Sequence, residues 1–364
     1  STSVNGGRDV NAIFGELAIP IVKDLDGDLA LREEYYSDAG NNVSPKASLR
    51  WQPIDSLVLR GSVSAGFRAP SLPEISNASS TSFISGIFDP QDPLGRPAVT
   101  IAEVTKANPD LKPEKSTNID LGFVFSPIRD LSFSADYYQI NVRNAIAEET
   151  TPQNIVDDPS AYPGQIVRTP GGFLQYVTIP YENIYNIETN GVDYDVQGVI
   201  RLPLDAKVTL DLTGTYVDRM AVNSQLGGPL TNYAGTDGWL YFSPIGGGGP
   251  VPRIRETASA TWENPSWVAR LAANFTSGYT EVICQDFGCG NGSVGGSAAA
   301  QNVGSLTTFD LYGEFRGIKH WRFYGSIINV FNRHPPWDAT NFPFDVTLYD
   351  ATGRFASVHA EYKF

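Results

Sequence analysis

The residues of this 364-residue chain that could do chemistry fall into four small sets. Cys284 and Cys289 stand in the run CQDFGC, inside a Gly/Ser-rich stretch. Such a pair could hold metal, cycle between redox states, or close a small disulfide. No histidine lies near it in sequence, and a secreted loop meets an oxidising compartment, so a disulfide pinning a loop is the reading adopted. The run Asp24-Leu25-Asp26-Gly27-Asp28 begins like a calcium loop. It lacks the closing glutamate that should follow about twelve residues in, so ordinary turn chemistry accounts for it and no metal is expected. His320, His334 and His359 lie far apart and no serine or cysteine nucleophile motif stands out, so neither catalysis nor a cofactor is expected. The last set is aromatic: Tyr233, Trp239, Tyr241 and Phe242 in one long polar segment, Trp337 and Phe342 in another. Rings beside Gly, Asn and Asp suit a stacking surface for a sugar or peptide, or they pack on one another.

The elements that must position these groups are long amphipathic strands. In residues 57–68, Leu57, Leu59, Gly61, Val63, Ala65 and Phe67 share one face, and Arg60, Ser62, Ser64 and Arg68 share the other with Val58 and Gly66. Successive side chains alternate across a strand, so one face is apolar and the other polar and cationic. The run is long enough to cross a membrane at a tilt. Similar segments come in pairs: 10–20 with 27–37, 43–51 with 56–67, 116–125 with 131–142, 185–202 with 207–217, 253–262 with 267–275, and 307–315 with 321–331, before a last one at 353–364. In 131–142 the parity slips after Tyr137, which suggests a bulge. Between the pairs lie long segments, 69–113, 144–183, 218–251 and 277–304, read as irregular.

Composition agrees with strands. Glycine (35), tyrosine (17) and phenylalanine (19) are plentiful and methionine appears once. The 26 basic and 40 acidic residues give a net charge of −14, which argues against a nucleic-acid partner. No apolar run approaches the ~18 residues of a transmembrane helix. The opening STSVNGGRDV has no apolar core of a signal peptide, so any such signal has been removed or was never part of this sequence.

From Gln52 onward, short connections alternate with long ones. Outer-membrane barrels have this asymmetry, with tight turns inside and long loops outside, whereas a soluble sandwich has no reason for it. Trp51, Trp262, Trp267 and Trp321 all sit beside the short turns, where an aromatic girdle belongs. The alternative is ordinary core or surface tryptophan in a soluble β protein. About thirteen strands are counted. An odd number cannot close an antiparallel ring, so the chain reads as the C-terminal part of a larger barrel whose other strands are truncated or come from another chain.

Particular motifs sharpen this. The segment NVSPKASLRWQPIDSLVLRGSVSAGFRAPSLPEI resembles the TonB-dependent outer-membrane receptors, in which a GFRAP element ends a barrel strand. Residues 108–116 resemble their NPxLKPE signature, 186–193 (NIETNGVD) the strand start after a long loop, and 328–332 (INVFN) their penultimate-strand motif. Terminal Phe364, with Tyr362 two before it, is similar to the signal read by the barrel-assembly machinery. The resemblance covers nearly the whole chain.

It implies an all-β fold, a transmembrane antiparallel β-barrel contributing about 13 C-terminal strands of roughly 22 around a plugged lumen. It implies import of a scarce, large ligand bound at the long loops, with energy from the TonB complex. The chain contains no plug, no TonB-contacting box and none of the first strands, so TonB would act through a plug lying elsewhere. Implied partners are outer-membrane lipid, the TonB complex, the barrel-assembly machinery and any chain supplying further strands, with the C-terminus periplasmic and the long loops extracellular. Arg60 and Arg68 would hold the plug bidentately, or pair with wall carboxylates such as Asp120 or Asp136. Glu114 would bond backbone or arginine where the chain re-enters the wall, or remain a solvated loop carboxylate. Two rivals stay open: a passive porin, whose uptake would survive loss of the proton-motive force, and a soluble adhesion or binding protein, which would not need detergent for extraction.

Overall fold

A computed structural model describes residues 6–76, 79–223, 228–238, 249–281, 301–338 and 343–364. The wall opens with β1 (Val10–Val22), β2 (Leu25–Tyr36), β3 (Gly40–Ile54) and β4 (Leu57–Arg68). A short helix α1 (Leu72–Ile75) and the hairpin β5 (Ser79–Ile87) and β6 (Val99–Lys106) follow, then β7 (Glu114–Ile128) and β8 (Leu131–Glu148). After α2 (Pro152–Asp157) and β9 (Ile166–Arg168) come β10 (Leu174–Leu202), β11 (Ala206–Asn223), β12 (Leu230–Asn232), β13 (Ile254–Glu263) and β14 (Trp267–Thr276). The hairpin β15 (Tyr279–Glu281) and β16 (Gln301–Val303) precedes β17 (Leu306–Phe315), β18 (Trp321–Ile328) and β19 (Phe355–Tyr362).

The long strands pair antiparallel in the order β1-β2-β3-β4-β7-β8-β10-β11-β13-β14-β17-β18-β19, which is thirteen. The all-β antiparallel architecture expected from the sequence is therefore what forms. The sheet is open. Among the described residues β1 has a ladder only to β2, and β19 only to β18. The register keeps one apolar face continuous across strands: Val63 opposes Ile119, Leu121 opposes Tyr137, and Val196 opposes both Phe133 and Leu212. The faces of these residues are far from covered, with Leu49, Val63 and Leu121 each at least half exposed. Sandwich packing would have hidden them, and among the described residues no second sheet does so.

Two expectations are corrected. No bulge interrupts β8 where the parity of its apolar residues changes. Its ladder with β7 is unbroken from Lys115↔Arg143 to Phe125↔Phe133. Ile140 and Val142 simply lie on the polar face near the long-loop rim, where Val142 packs under a hydrophobic cluster. Nor are segments 69–113 and 144–183 irregular. Both fold into a small cap, because Val99, Ile101, Ile155, Val156, Val177 and Ile179 form a core of their own. Its sheet joins β5, β6, the first half of β10 and β9, with β6 parallel to β10 through Tyr176–Pro180.

On the polar face, one link skips a strand. Arg60 of β4 donates to Asp136 of β8 through Nε at 2.6 Å and Nη2 at 2.5 Å. The strand between them, β7, presents Gly122 in the same row. A Cβ there would stand 1.9 Å from Asp136 Oδ1, so only glycine lets the carboxylate lie across β7. Gly122→Val is expected to unpair Arg60 from Asp136 and cost about 1–2 kcal/mol, the half-exposed pair itself supplying no more than about 1. A lower temperature for the folded-to-unfolded band shift in unheated-versus-heated electrophoresis checks this, and an unchanged temperature refutes it.

Candidate functional site

Three of the motifs, those at 65–70, 108–116 and 186–193, come together at the rim where the cap joins the wall. Arg68 closes the GFRAP strand and grips two carboxylates. Nη1 donates to both oxygens of Glu74, at 3.1 and 3.0 Å, and Nη2 donates to Glu114 at 2.7 Å. Glu74 also accepts the backbone N–H of Ser71 at 2.6 Å, which fixes α1 at the exit of the strand. Glu114, 8% exposed, accepts the Ile146 N–H at 2.7 Å as well. A guanidinium holding two acids presents its donors in a fixed fork, which lysine could not reproduce. The same cluster therefore clamps the start of the long excursion (Arg68, Glu74), its end (Glu114) and the neighbouring strand β8.

Asparagines in and beside the signatures tie the remaining ends. Asn108 donates to Tyr181 O at 2.9 Å, while its N–H meets Glu74 O at 2.8 Å. Asn183 accepts Lys112 N–H at 2.7 Å and donates to Lys112 O and Asn144 O, each at 2.8 Å. Asn223, 1% exposed, accepts the Asn186 N–H at 2.6 Å and donates to Ile184 O at 3.2 Å. In the penultimate motif Asn329 and Asn332 both take φ of 50°, a left-handed turn that asparagine tolerates. There β18 ends, three residues earlier than the sequence pattern suggests. Asn329 accepts Arg333 N–H at 2.9 Å and Asn332 accepts Arg354 N–H at 2.9 Å, fastening the last loop to the wall.

The sequence-derived residues divide as follows. Arg60 and Asp136 pair as described, and Ser62 donates to Asp120 at 3.1 Å on the same polar face. Trp51, Trp262, Trp267 and Trp321 are 36–50% exposed at the short-turn rim. Trp267 packs on Phe315 at 4.5 Å between ring centroids, Trp321 stacks on Phe323 at 5.5 Å and touches Tyr362 at 5.1 Å, and Tyr362 meets Phe364 edge-on at 5.1 Å. Of the loop aromatics, Trp337 is 60% exposed, but Tyr233 is 7% exposed in a cluster with Ala145, Ile184, Tyr185 and Val222. Tyr233 thus offers no stacking face; packing of loop side chains on one another won there. Trp239, Tyr241, Phe242, Phe342, Cys284 and Cys289 lie outside the described residues.

Sequence reading missed the polar core of the cap. Asp89, whose side chain is fully buried, takes both Nη1 and Nη2 of Arg168 at 2.7 and 2.8 Å. Arg168 holds the Asp89 carboxyl below its usual range. The Arg96 guanidinium and the Arg96 N–H hold Asp92 down to about 2. Glu103 is the opposite case. It is 6% exposed, accepts Ser82 Oγ at 3.0 Å, and faces Glu148, which accepts Thr105 Oγ1 at 2.9 Å. Burial first, then the Glu148 charge, push its carboxyl above the ordinary range. The signal was available in VTIAEVTK, where Val99, Ile101, Glu103 and Thr105 alternate inward, with buried positions at each.

The fold and rim define a class: an open-ended wall of long antiparallel strands, apolar on one face and polar on the other, with a folded cap at one rim. The chain belongs to the TonB dependent receptor-like, beta-barrel family, which matches residues 1–330. It is 26% identical over 186 residues to the iron-regulated outer membrane virulence protein of Vibrio cholerae, covering 51% of this chain and 24% of that protein. Among solved structures, the siderophore receptor PirA of Acinetobacter baumannii aligns with a TM-score of 0.67 at 16% identity, over 98% of this chain and 46% of the receptor. A ferric enterobactin receptor mutant (PfeA) of Pseudomonas aeruginosa bound to enterobactin gives 0.66 at 15%, over 97% and 45%. The FrpB iron transporter of Neisseria meningitidis gives 0.59 at 13%, over 98% and 45%. The chain spans about a quarter of the curated relative's length and under half of each of these solved proteins.

Two outcomes follow. Arg68→Ala leaves Glu114 and Glu74 without their cation, so the cap should loosen from the wall, with roughly tenfold faster hydrogen exchange at the start of β7 and in α1; equal exchange in variant and parent refutes the clamp. Because the Glu103 carboxyl is raised in the folded state, its contribution is present below the ordinary carboxylate pKa and lost as pH rises through the raised value. Proteolysis of the cap should therefore quicken as pH rises above about 4.5, the ordinary value for this carboxyl, and Glu103→Gln should flatten that rise; a variant as pH-sensitive as the parent contradicts it.

Proposed function

We propose that this chain forms the later part of the wall and loops of an outer-membrane active transporter, which binds a scarce iron–siderophore complex at its long-loop side and imports it with energy from the TonB complex. The observation that carries this is the paired architecture: an exposed apolar face of membrane-crossing length, backed by a polar face whose charges meet each other. Hydrocarbon covers the first, and an enclosed bore with a polar plug occupies the second. Membership of the TonB-dependent receptor family supports the transport class. The solved relatives described as siderophore receptors support the ligand class.

On this reading Arg60, Asp120 and Asp136 line the bore, Trp51, Trp262, Trp267 and Trp321 form the periplasmic-side girdle, and Tyr362 with Phe364 ends the strand read by the assembly machinery. Cys284 and Cys289 close a disulfide in a loop. Further strands and the plug, from the same or another chain, close the sheet between β1 and β19. Trp337, with Trp239, Tyr241, Phe242 and Phe342, supplies aromatic contacts to the ligand from the extracellular loops.

The test is uptake of iron-55-labelled catecholate and hydroxamate siderophores by cells expressing the full-length protein. Uptake above the deletion strain that collapses with a protonophore, or in cells lacking TonB, is expected. Uptake that survives both treatments would move the protein to the passive-channel class, and no uptake of either chemistry would overturn the ligand assignment.

A further inference from the structure

Above the apolar band on β7 and β8, two cations stand directly opposite each other. Lys115 and Arg143 are register partners. They lie on the face that carries Leu121, Phe123, Phe133 and Tyr137, since the ladder between is unbroken. Both are exposed. Like charges facing each other across strands repel. Elsewhere on the wall Arg60, Arg68, Arg201 and Arg219 each meet a carboxylate. Among the described residues, no carboxylate stands within ion-pair distance of Lys115 or Arg143.

Height decides what can reach them. Ile119 to Ile128 on β7 marks the apolar band, about 24 Å tall at a strand tilt near 40°. Lys115 lies four residues beyond Ile119, about 10 Å further out, and Arg143 shares its row. That is the depth of lipid headgroups, not of hydrocarbon or bulk solvent. Between band and cations lies one neutral polar row, Thr117 opposite Asn141. A second loop acid would have been the simplest partner, yet the nearby acids are engaged elsewhere: Glu114 turns to Arg68 on the other face, and Glu188 pairs with Arg219.

We propose that Lys115 and Arg143 form a binding site for the phosphate of an outer-leaflet lipid headgroup. The fork of Arg143 and the point charge of Lys115 would straddle one phosphate while the acyl chains run down over Ile119, Leu121 and Phe123. The anion relieves the repulsion that the bare pair suffers. This rests on the membrane reading of the apolar face, but not on the identity of any imported ligand.

The full-length protein in maltoside micelles is titrated with lipid A, a diphosphorylated glycolipid, and with its fully dephosphorylated form. The parent should bind lipid A, and Lys115→Gln/Arg143→Gln should bind it about tenfold more weakly. A control at the short-turn rim, Arg201→Gln/Lys207→Gln, should bind as the parent does. The dephosphorylated lipid should bind parent and double variant alike. Equal lipid A affinity in parent and double variant overturns the site, as does equal binding of phosphorylated and dephosphorylated lipid by the parent. Heat-shifted electrophoretic mobility shows that each variant is folded, and siderophore uptake, measured separately, reports on the transport reading and not on this one.

Discussion

A backbone that crosses hydrocarbon has nowhere to hydrogen-bond except its neighbours, and this constraint governs the chain. It forces every wall strand into an uninterrupted ladder, and it makes register absolute, because a one-residue slip would turn the whole apolar face inward. The irregularities in the long ladders consequently sit at the ends. In β10 the shifts fall at Asn183–Ile187 and at Asn190–Gly191, near the cap rim; in β3 and β7 they fall beside the short turns.

With register fixed, side chains can act only by reaching along or across rows, and glycine sets how far. Gly122 lets Asp136 reach Arg60 over an intervening strand. On the apolar face Gly214 does the same for Tyr194, whose hydroxyl donates to Glu256 at 2.5 Å from two strands away. A Cβ at Gly214 would stand 2.5 Å from that hydroxyl oxygen. The tyrosine thus satisfies a carboxylate that would otherwise face hydrocarbon alone, at a cost of several kcal/mol. Both links stiffen the sheet against shear between strands that share no ladder.

The wall was legible because period two is a strong signal and is repeated thirteen times. The alternation in 57–68 or 208–216 needs no context to interpret. What stayed hidden depends on context. Ile140 and Val142 looked like a parity slip because sequence cannot say that the polar face turns apolar near the rim, where Val142 joins the cluster of Ala145, Tyr185, Val222 and Tyr233. The cap itself was read as irregular since its core is drawn from three separated segments, around Ile101, Ile155 and Val177, none of them long enough to announce itself. Tyr233 failed for the same reason: an aromatic among Gly and Asn is exposed only if nothing folds over it. The clamp was half legible. GFRAP and NPxLKPE could be seen as motifs, but that Arg68 of one holds Glu114 of the other is a contact across 46 residues.

That contact explains why a long excursion can be tolerated at this point in a barrel. Opening the wall between β4 and β7 for a cap would leave the two strand ends free to fray at the rim, where the ladder lacks further neighbours. Arg68 and Glu114 are themselves the last register pair of the β4–β7 ladder. The ion pair therefore sits on the final rung and closes it, while Glu74 and the Ile146 N–H extend the same bond set to the cap and to β8. A salt bridge on an open surface would contribute little. Here Glu114 is buried, and removing the arginine leaves its carboxylate the Ile146 N–H but no cation. The rim holds because its carboxylates are largely buried in the place where hydrogen-bonded backbone runs out.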